Sequence, residues 1–360
     1  MVTVMRDKVH RHVHKGRGTT LSPASRYAET TYEDIDDGWG SLEEPLPTPA
    51  TTLGIDTSRT VITYNDSPDV GFDRSINPYR GCEHGCVYCF ARPTHAWLGL
   101  SPGLDFETRL FYKPDAAAQL KRELAARAYS CAPVAVGINT DAYQPCERKL
   151  GLTRAILEVL VAARHPFSIV TKSALIERDI DLIARAAACR QATVCVSITT
   201  LDSALARRLE PRATAPARRL DTIRALTGAG IPVTVLVAPL IPVLTDAGLE
   251  DLLEQARACG AQAAGYILLR LPHELKAMFR DWLHTHVPLK AEHVMNRLRD
   301  CRGGKDYDAR FGERMRGTGL YADLLHKRFR LARARLGFTE VQDLDVTQFT
   351  PPDDGQLRLF

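Results

Sequence analysis

Six short apolar runs rich in β-branched residues divide most of this chain, and no other feature limits its fold so tightly. A first run passes through Ser75-Ile-Asn-Pro-Tyr79. Then come Pro133-Val-Ala-Val-Gly-Ile138, Phe167-Ser-Ile-Val170, Thr193-Val-Cys-Val-Ser-Ile198, Pro232-Val-Thr-Val-Leu-Val237 and Gly265-Tyr-Ile-Leu-Leu269. Each is too short for a helix and too evenly apolar for a strand with one wet face, which describes a buried parallel strand. Amphipathic stretches lie between them. Leu152 to Arg164, with Leu152, Ile156, Val159, Leu160 and Ala163 on one side, predicts a helix. A spacing of roughly thirty residues is the repeat of a βα unit. Six such units predict an α/β fold, a partial (β/α)6 barrel of the TIM type rather than a full eight-unit barrel or a doubly wound sheet.

In such a barrel the loops after the strands carry the chemistry. The first run opens into Gly81-Cys-Glu-His-Gly-Cys-Val-Tyr-Cys-Phe90, and Gly81 and Gly85 mark a loop that bends around something. Cys82, Cys86 and Cys89 read as three thiolate ligands of a four-iron cluster, which leaves one iron open for chemistry. A Cys3His zinc site with His84 or His95 is the alternative; zinc motifs usually pair two short hooks, and no second hook follows here. After the second run come Asn139, Thr140, Asp141, Tyr143 and Gln144. Thr171 and Lys172 follow the third, Ser197 and Thr199 end the fourth, Pro239 follows the fifth and Arg270 ends the sixth. A polar group at the end of a buried strand costs free energy unless something satisfies it, so this recurrence points to a ligand.

Composition bounds the rest. With 360 residues, 45% of them hydrophobic and 25% charged, the chain can hold one barrel-sized domain and extensions. Residues 1–60 read as an extended, partly disordered arm, polar and Pro/Thr-rich from Pro45 to Thr52. Residues 61–289 are the barrel, 290–345 a basic helical extension expected to cover the barrel mouth, and 346–360 a tail. Met1 to Gly18 has no apolar stretch of the secretory kind, no run reaches membrane-spanning length, and nine cysteines, an odd number, suit a reducing compartment; a cytoplasmic protein is expected. Cys131, Cys146, Cys189, Cys195, Cys259 and Cys301 are expected to be small buried hydrophobes. Net charge is +4, but Lys290 to Arg335 holds thirteen Lys or Arg against six Asp or Glu, a footprint suited either to a phosphate backbone or to a solvated helical surface.

The CxxxCxxC spacing, with Tyr88 just before the third cysteine, resembles the radical S-adenosylmethionine (SAM) superfamily. Thr140-Asp141, Val170-Thr-Lys172, Glu210-Pro-Arg212 and Gly230-Ile-Pro232 through Ala238-Pro239 are similar to its spore photoproduct lyase branch. Ser75 through His95 and Asn139-Thr-Asp-Ala-Tyr-Gln-Pro145 resemble more closely an uncharacterised bacterial radical SAM group within it. The resemblance implies a [4Fe–4S] cluster on Cys82, Cys86 and Cys89, SAM on its open iron, and one-electron cleavage of SAM to a 5′-deoxyadenosyl radical. It implies that Lys172 and Ser197 hold the SAM carboxylate and polar groups, that Tyr88 lies against the adenine, and that Asn139, Thr140 and Asp141 line the rim. One departure matters. Where spore photoproduct lyase carries a cysteine that returns hydrogen to the substrate, this chain has Ile138, which cannot. A donor would have to come from elsewhere, and Cys146, Tyr143, Cys301 and Tyr307 are the candidates.

The expected function is therefore a radical SAM enzyme abstracting hydrogen from a nucleic-acid substrate, in DNA repair or base modification, with flavodoxin or ferredoxin as electron donor. RNA, protein or a small metabolite is the alternative substrate, and a non-catalytic Fe–S scaffold on DNA the alternative class. The Gly-broken basic segment from Cys301 to Gly319 suits a phosphate-rich substrate. The last residues, Gln356-Leu-Arg-Leu-Phe360, resemble the peptide by which bacterial polymerases and repair proteins dock on the replication sliding clamp: Gln356 for hydrogen bonding, and Leu357, Leu359 and Phe360 for an apolar pocket.

Overall fold

The computed structural model describes residues 10–11, 13–28, 49–341 and 343–353; the clamp-like peptide lies outside the described residues. Twelve strands are described: β1 (His10–Arg11), β2 (Leu21–Ser22), β3 (Thr52–Ile55), β4 (Ile62–Tyr64), β5 (Arg74–Ile76), β6 (Tyr79–Arg80), β7 (Arg109–Tyr112), β8 (Val134–Val136), β9 (Phe167–Thr171), β10 (Ala192–Ser197), β11 (Val233–Leu240) and β12 (Ala263–Leu268). The helices are α1 (Leu104–Thr108), α2 (Ala116–Ala125), α3 (Glu147–Leu150), α4 (Leu152–Ala162), α5 (Ile180–Ala188), α6 (Ser203–Leu209), α7 (Pro216–Gly228), α8 (Leu249–Ala258), α9 (Leu275–His286), α10 (Ala291–Asp300), α11 (Glu313–Arg316) and α12 (Leu320–Arg335).

The six apolar runs become six parallel strands lying side by side in chain order, β5-β8-β9-β10-β11-β12, with β4 antiparallel on the outer side of β5. This is the predicted partial barrel. Among the described residues its two end strands, β4 and β12, do not pair with each other, so the sheet stays open. A smaller sheet, β3-β7-β6, and the β1-β2 hairpin stand beside it.

The helices cover one face of the sheet: Ile76, Val136, Ile169, Val194 and Val235 share that face by register and are fully buried in one core with residues of α2, α4, α5, α7 and α8, while the alternate positions of β9, Ser168 and Val170, are only partly buried. Helix α4 turns Thr153, Ile156, Leu157 and Leu160 inward, so Leu157 takes the place expected of Val159, which is only partly buried. A second core gathers Leu205, Leu209, Phe279, Trp282 and Leu283 against Cys86, Val87 and Tyr88. The cysteine loop is therefore packed from below by helices α6 and α9.

The extensions are built into this body. Gly18, Thr19, Thr20 and Leu21, within the stretch read as an extended arm, are buried. Residues of the basic extension pack along the β12 edge, with the Tyr266 and Phe329 rings 4.8 Å apart and Arg328 paired to Glu250 at 2.6 Å. Covering the edge strand in this way satisfies or hides its unpaired backbone groups. The expectation for the spare cysteines needs correction at Cys189, which is exposed, and at Cys131 and Cys195, which are partly so. No helix among the described residues is long and apolar enough to cross a membrane.

The segment 343–353 returns to the turn between α4 and β9, where the Thr350 N–H donates to the Ala163 carbonyl at 2.9 Å and Phe349 meets His165 edge-on, 5.3 Å between ring centres. His165 is buried, with Nδ1 3.0 Å from the Pro166 carbonyl and Nε2 2.7 Å from the Tyr129 hydroxyl. That pattern suits the neutral ring, donating at Nδ1 and accepting at Nε2. Burial lowers the pKa to about 4. Above the ordinary value the ring is neutral whether the chain is folded or not. As pH falls from about 6.5 toward 4 the unfolded chain takes up a proton that the fold refuses, so stability falls across this window by up to about 3 kcal/mol. Urea unfolding of wild type and His165→Gln between pH 7 and 4.5 is expected to show a difference curve that is flat above pH 6.5 and narrows below it. A constant difference would show that His165 does not drive the loss.

Candidate active site

The loop holding Cys82, Cys86 and Cys89 emerges from β6 and is fixed mainly through its backbone. The Cys82 N–H donates to the Phe106 carbonyl at 2.8 Å and the Val87 N–H to the Leu209 carbonyl at 3.0 Å. Arg92, fully buried, donates from Nε to the Cys86 carbonyl at 2.8 Å and from one terminal nitrogen to the Gly85 carbonyl at 3.1 Å. Its charge is met by the fully buried Glu107 at 2.5 Å. Glu107 in turn accepts from the N–H groups of Gly18 and Thr19 at 2.9 and 3.0 Å, which draws the N-terminal segment down onto the loop. The approach is close enough to require glycine. A Cβ on Gly18 would stand 1.7 Å from the Gly85 carbonyl oxygen, and Gly85 itself has φ +67°. On the far side Gln144 accepts from the Glu83 N–H at 2.9 Å and donates to the Gly81 carbonyl at 3.2 Å. Carbonyls of the loop are thus turned toward buried cations and amides, while the thiols are left without a disulfide.

Behind the loop lies a charged group that ties four segments together. Glu210 is buried and pairs with Arg219, also buried, through one oxygen. Its other oxygen accepts from the Thr199 hydroxyl at 2.7 Å and from the Tyr88 hydroxyl, and lies 3.5 Å from Lys172 Nζ. Lys172 Nζ also donates to Ser197 Oγ at 2.5 Å and to the Ala238 carbonyl at 3.0 Å, and stands 5.8 Å from the centre of the Tyr88 ring. Burial alone would push the Glu210 carboxyl up, but Arg219 and then Lys172 outweigh it and hold it well below the usual carboxylate range. Two cations surround one carboxylate, so the group carries one surplus positive charge beside Cys86.

Of the other sequence candidates, Asp141 is fully engaged. One oxygen accepts from the Thr171 hydroxyl at 2.7 Å and the Tyr143 N–H at 2.8 Å, the other from the Lys172 N–H at 2.7 Å, and His84 Nδ1 stands 3.4 Å away. Its burial raises the pKa, but His84 and these donors hold it below the ordinary value. Thr140 is buried and donates to the Tyr79 carbonyl at 2.9 Å, whereas Asn139 is exposed. Asp141 and Thr140 therefore shape the rim, and Asn139 faces outward. Among the donor candidates, Tyr143 is wholly buried in the main core and Cys301 packs there too. Cys146 packs with Tyr79 and Leu110, and burial first, then Glu83, raises its thiol to about 12. Tyr307 is partly exposed.

The implied cluster can be tested against these residues. Burial raises the pKa of all three thiols, and Cys86 and Cys89 raise that of Cys82 further, so an uncompensated set of thiolates is disfavoured here. Cationic iron supplies the compensation. The two histidines open to a zinc reading are occupied otherwise: His84 faces Asp141, and His95 Nε2 lies 3.0 Å from the Arg109 carbonyl. Among the described residues no three His, Cys, Asp or Glu side chains converge as ligands of a single metal ion. Soft thiols on one loop, with a surplus cation behind them, fit a sulfide cluster and a carboxylate-bearing cosubstrate. Glu210, Arg219, Arg92, Glu107 and Gly18 had no site role in the sequence reading; only Arg92 and Glu210 stood within recognisable strings.

Two expectations follow. Glu210→Gln leaves Arg219 buried without its counter-charge and is expected to cost about 3–5 kcal/mol in chemical denaturation of the metal-free chain; a loss below about 1 kcal/mol would mean the pair is not the tie described. Gly18→Val displaces the N-terminal cover, and visible absorbance of the reconstituted protein should bleach several-fold faster in air while far-ultraviolet circular dichroism stays unchanged. Equal bleaching rates would remove the covering role.

Residues 76–256 match the Radical SAM superfamily. An uncharacterized protein of Mycobacterium tuberculosis is 42% identical over 214 residues, covering 59% of this chain and 63% of that protein. An uncharacterized protein of Methanocaldococcus jannaschii is 29% identical over 171 residues, covering 48% of this chain and 61% of that protein. The match thus spans less than two thirds of these relatives' own length. Among solved structures, a spore photoproduct lyase complexed with dinucleoside spore photoproduct superposes with a TM-score of 0.57 at 17% identity, over 79% of this chain and 78% of that one, a likeness of fold. Because the family match begins in β5, takes in the whole cysteine loop and runs through α8, the chain belongs to the radical SAM superfamily, whose cofactors are a [4Fe–4S] cluster and S-adenosylmethionine.

Proposed function

We propose that this protein is a radical SAM enzyme that abstracts hydrogen from a nucleic-acid substrate. The observation that carries the radical chemistry is the set Cys82, Cys86 and Cys89 on one loop, the first two buried and Cys89 partly so, with Cys86 beside the Lys172–Glu210–Arg219 group. Cys82, Cys86 and Cys89 would hold the cluster. When bound, cluster and SAM supply a one-electron cleavage that yields the 5′-deoxyadenosyl radical. The chain's own groups do the rest. Lys172, held by Ser197 and the Ala238 carbonyl, offers its charge to the SAM carboxylate, and Ser197 fixes that ammonium in place. Tyr88, anchored at its hydroxyl by Glu210 and Thr199, presents a ring whose orientation is set before any ligand arrives. The second core under the loop excludes water, which protects a radical from quenching.

Nucleic acid is supported by the fold shared with a lyase that binds a dinucleoside lesion and by the basic extension along the β12 edge. The reaction differs from that lyase's in its hydrogen return, since Ile138 is aliphatic. Of the four donor candidates, Tyr307 is the one with solvent access. A one-electron donor of the flavodoxin or ferredoxin kind completes the cycle.

The test is anaerobic reconstitution with iron and sulfide, then dithionite and SAM, with 5′-deoxyadenosine measured with and without duplex or single-stranded DNA. Wild type is expected to form deoxyadenosine, DNA to raise its yield, and Cys86→Ala to form none above background. Product indifferent to DNA would sink the nucleic-acid substrate, and no product from an intact cluster would sink the enzyme.

A further inference from the structure

At the end of β12, beside the cysteine loop, Arg270 and Arg302 have no carboxylate partner among the described residues. Arg270 is partly exposed, its guanidinium carbon 5.3 Å from the centre of the Phe90 ring. Among the described residues its side chain donates to the Met315 sulfur at 3.5 Å, a weak acceptor, and its buried Nε has no partner. Arg302 is 1% exposed and donates to the carbonyls of Glu313, Leu268 and Leu269 at 2.9, 3.5 and 2.9 Å, while its Nε is likewise buried without a partner. Burial lowers the Arg302 pKa and the neighbouring Arg270 charge lowers it further, against Cys301, Tyr307 and Asp308, which raise it. Asp308 is itself paired with Arg310 at 2.7 Å.

This is an unusual way to spend two guanidinium groups. Two adjacent cations repel, and a buried N–H without an acceptor costs free energy comparable to a lost hydrogen bond. Elsewhere among the described residues buried arginines meet carboxylates, as Arg92 meets Glu107 and Arg219 meets Glu210. At Arg270 the missing member is an anion. Beside it Phe90, the residue after Cys89, keeps 39% of its surface exposed at the edge of the loop.

We propose that Arg270, set against Phe90 and backed by Arg302, is the receptor for a phosphodiester of the substrate strand, with the exposed Phe90 ring as the platform for an adjoining base. The proposal rests on the nucleic-acid reading above and locates it. A guanidinium matches two phosphate oxygens at once, and an aromatic face accepts any base, so the pair would bind a strand without reading its sequence. Its place next to Cys89 would bring the bound nucleotide to the open side of the loop. Lys172 remains assigned to the cofactor, so the two anions would be held by separate cations.

The test uses the full-length, anaerobically reconstituted protein and a fluorescein-labelled single-stranded octanucleotide, followed by anisotropy over a range of salt. Arg270→Gln is expected to weaken binding about tenfold and to lower the salt slope by about one. Phe90→Ala should weaken binding with an unchanged slope, and Arg122→Gln, on the exposed face of α2, should do neither. Deoxyadenosine formed without nucleic acid should be the same in Arg270→Gln as in wild type; its loss would assign Arg270 to SAM and overturn the proposal, as would unchanged oligonucleotide binding. If wild type binds no oligonucleotide, the nucleic-acid reading fails, and thermal stabilisation by inorganic pyrophosphate then decides the anion site. Stabilisation of wild type but not of Arg270→Gln would uphold an anion receptor for another substrate, and none in either would overturn it.

Discussion

The Glu210–Arg219 pair is the interaction on which the site depends. Arg219 sits on α7 and donates to the Thr214 and Ser197 carbonyls at 2.6 and 2.9 Å, so the pair fastens the helix to the end of β10. Glu210, just beyond α6, then reaches Tyr88 in the cysteine loop, Thr199 after β10 and Lys172 after β9. Four pieces of chain that are separate in sequence meet at one carboxylate. Once its charge is fixed by Arg219, the Tyr88 ring and the Lys172 ammonium have little freedom left, and the thiols between them inherit that order.

A second buried pair acts on the other side of the same loop and by a different route. The side chains of Arg92 and Glu107 act on the backbone: they hold the loop by its carbonyls and its cover by its amides. Hydrogen bonds from a buried guanidinium to carbonyls take up acceptors that the loop cannot satisfy within itself. The result is a loop held through its backbone, with its three cysteines free of any disulfide. The division of labour is clear: Arg92–Glu107 shapes the loop, and Glu210–Arg219 orders what faces it.

The legible part of this arrangement was the part written in local pattern. Strand positions followed from short β-branched runs, and β9, predicted at 167–170, is Phe167–Thr171. The cysteines, Lys172 and Ser197 were visible because each sits just after or at the end of a strand, where function collects in this architecture. Gly18 and Glu107 were not visible. They lie 89 residues apart, and only the folded chain places one on the other. Arg270 was marked as a strand-end residue, but the lack of an acidic neighbour is a property of three-dimensional surroundings and has no sequence signature. Asp141 shows the converse: it was legible as a rim residue, yet its oxygens are spent on Thr171, Tyr143 and Lys172. Polar identity predicts that a group has a partner; it does not predict whether the partner is protein or ligand.

That distinction bears on why the chain keeps so many charges out of water here. Burying an ion pair seldom gains stability over well-packed apolar residues, because desolvation consumes most of the attraction. Two buried pairs within one loop's surroundings are therefore a poor device for folding alone, and the fold's main core, aliphatic and aromatic apart from Cys259 and Cys301, shows that this sequence can pack without them. What charges provide and apolar packing does not is direction: a lysine aimed by two oxygens, a phenol ring aimed by a carboxylate, a loop backbone aimed by a guanidinium. Direction matters where a reactive species must meet one hydrogen and no other. On this argument the buried charges are the cost of aim, and Arg270, which has no carboxylate partner among the described residues, fits the same logic in the proposal that a substrate phosphate is its counter-charge.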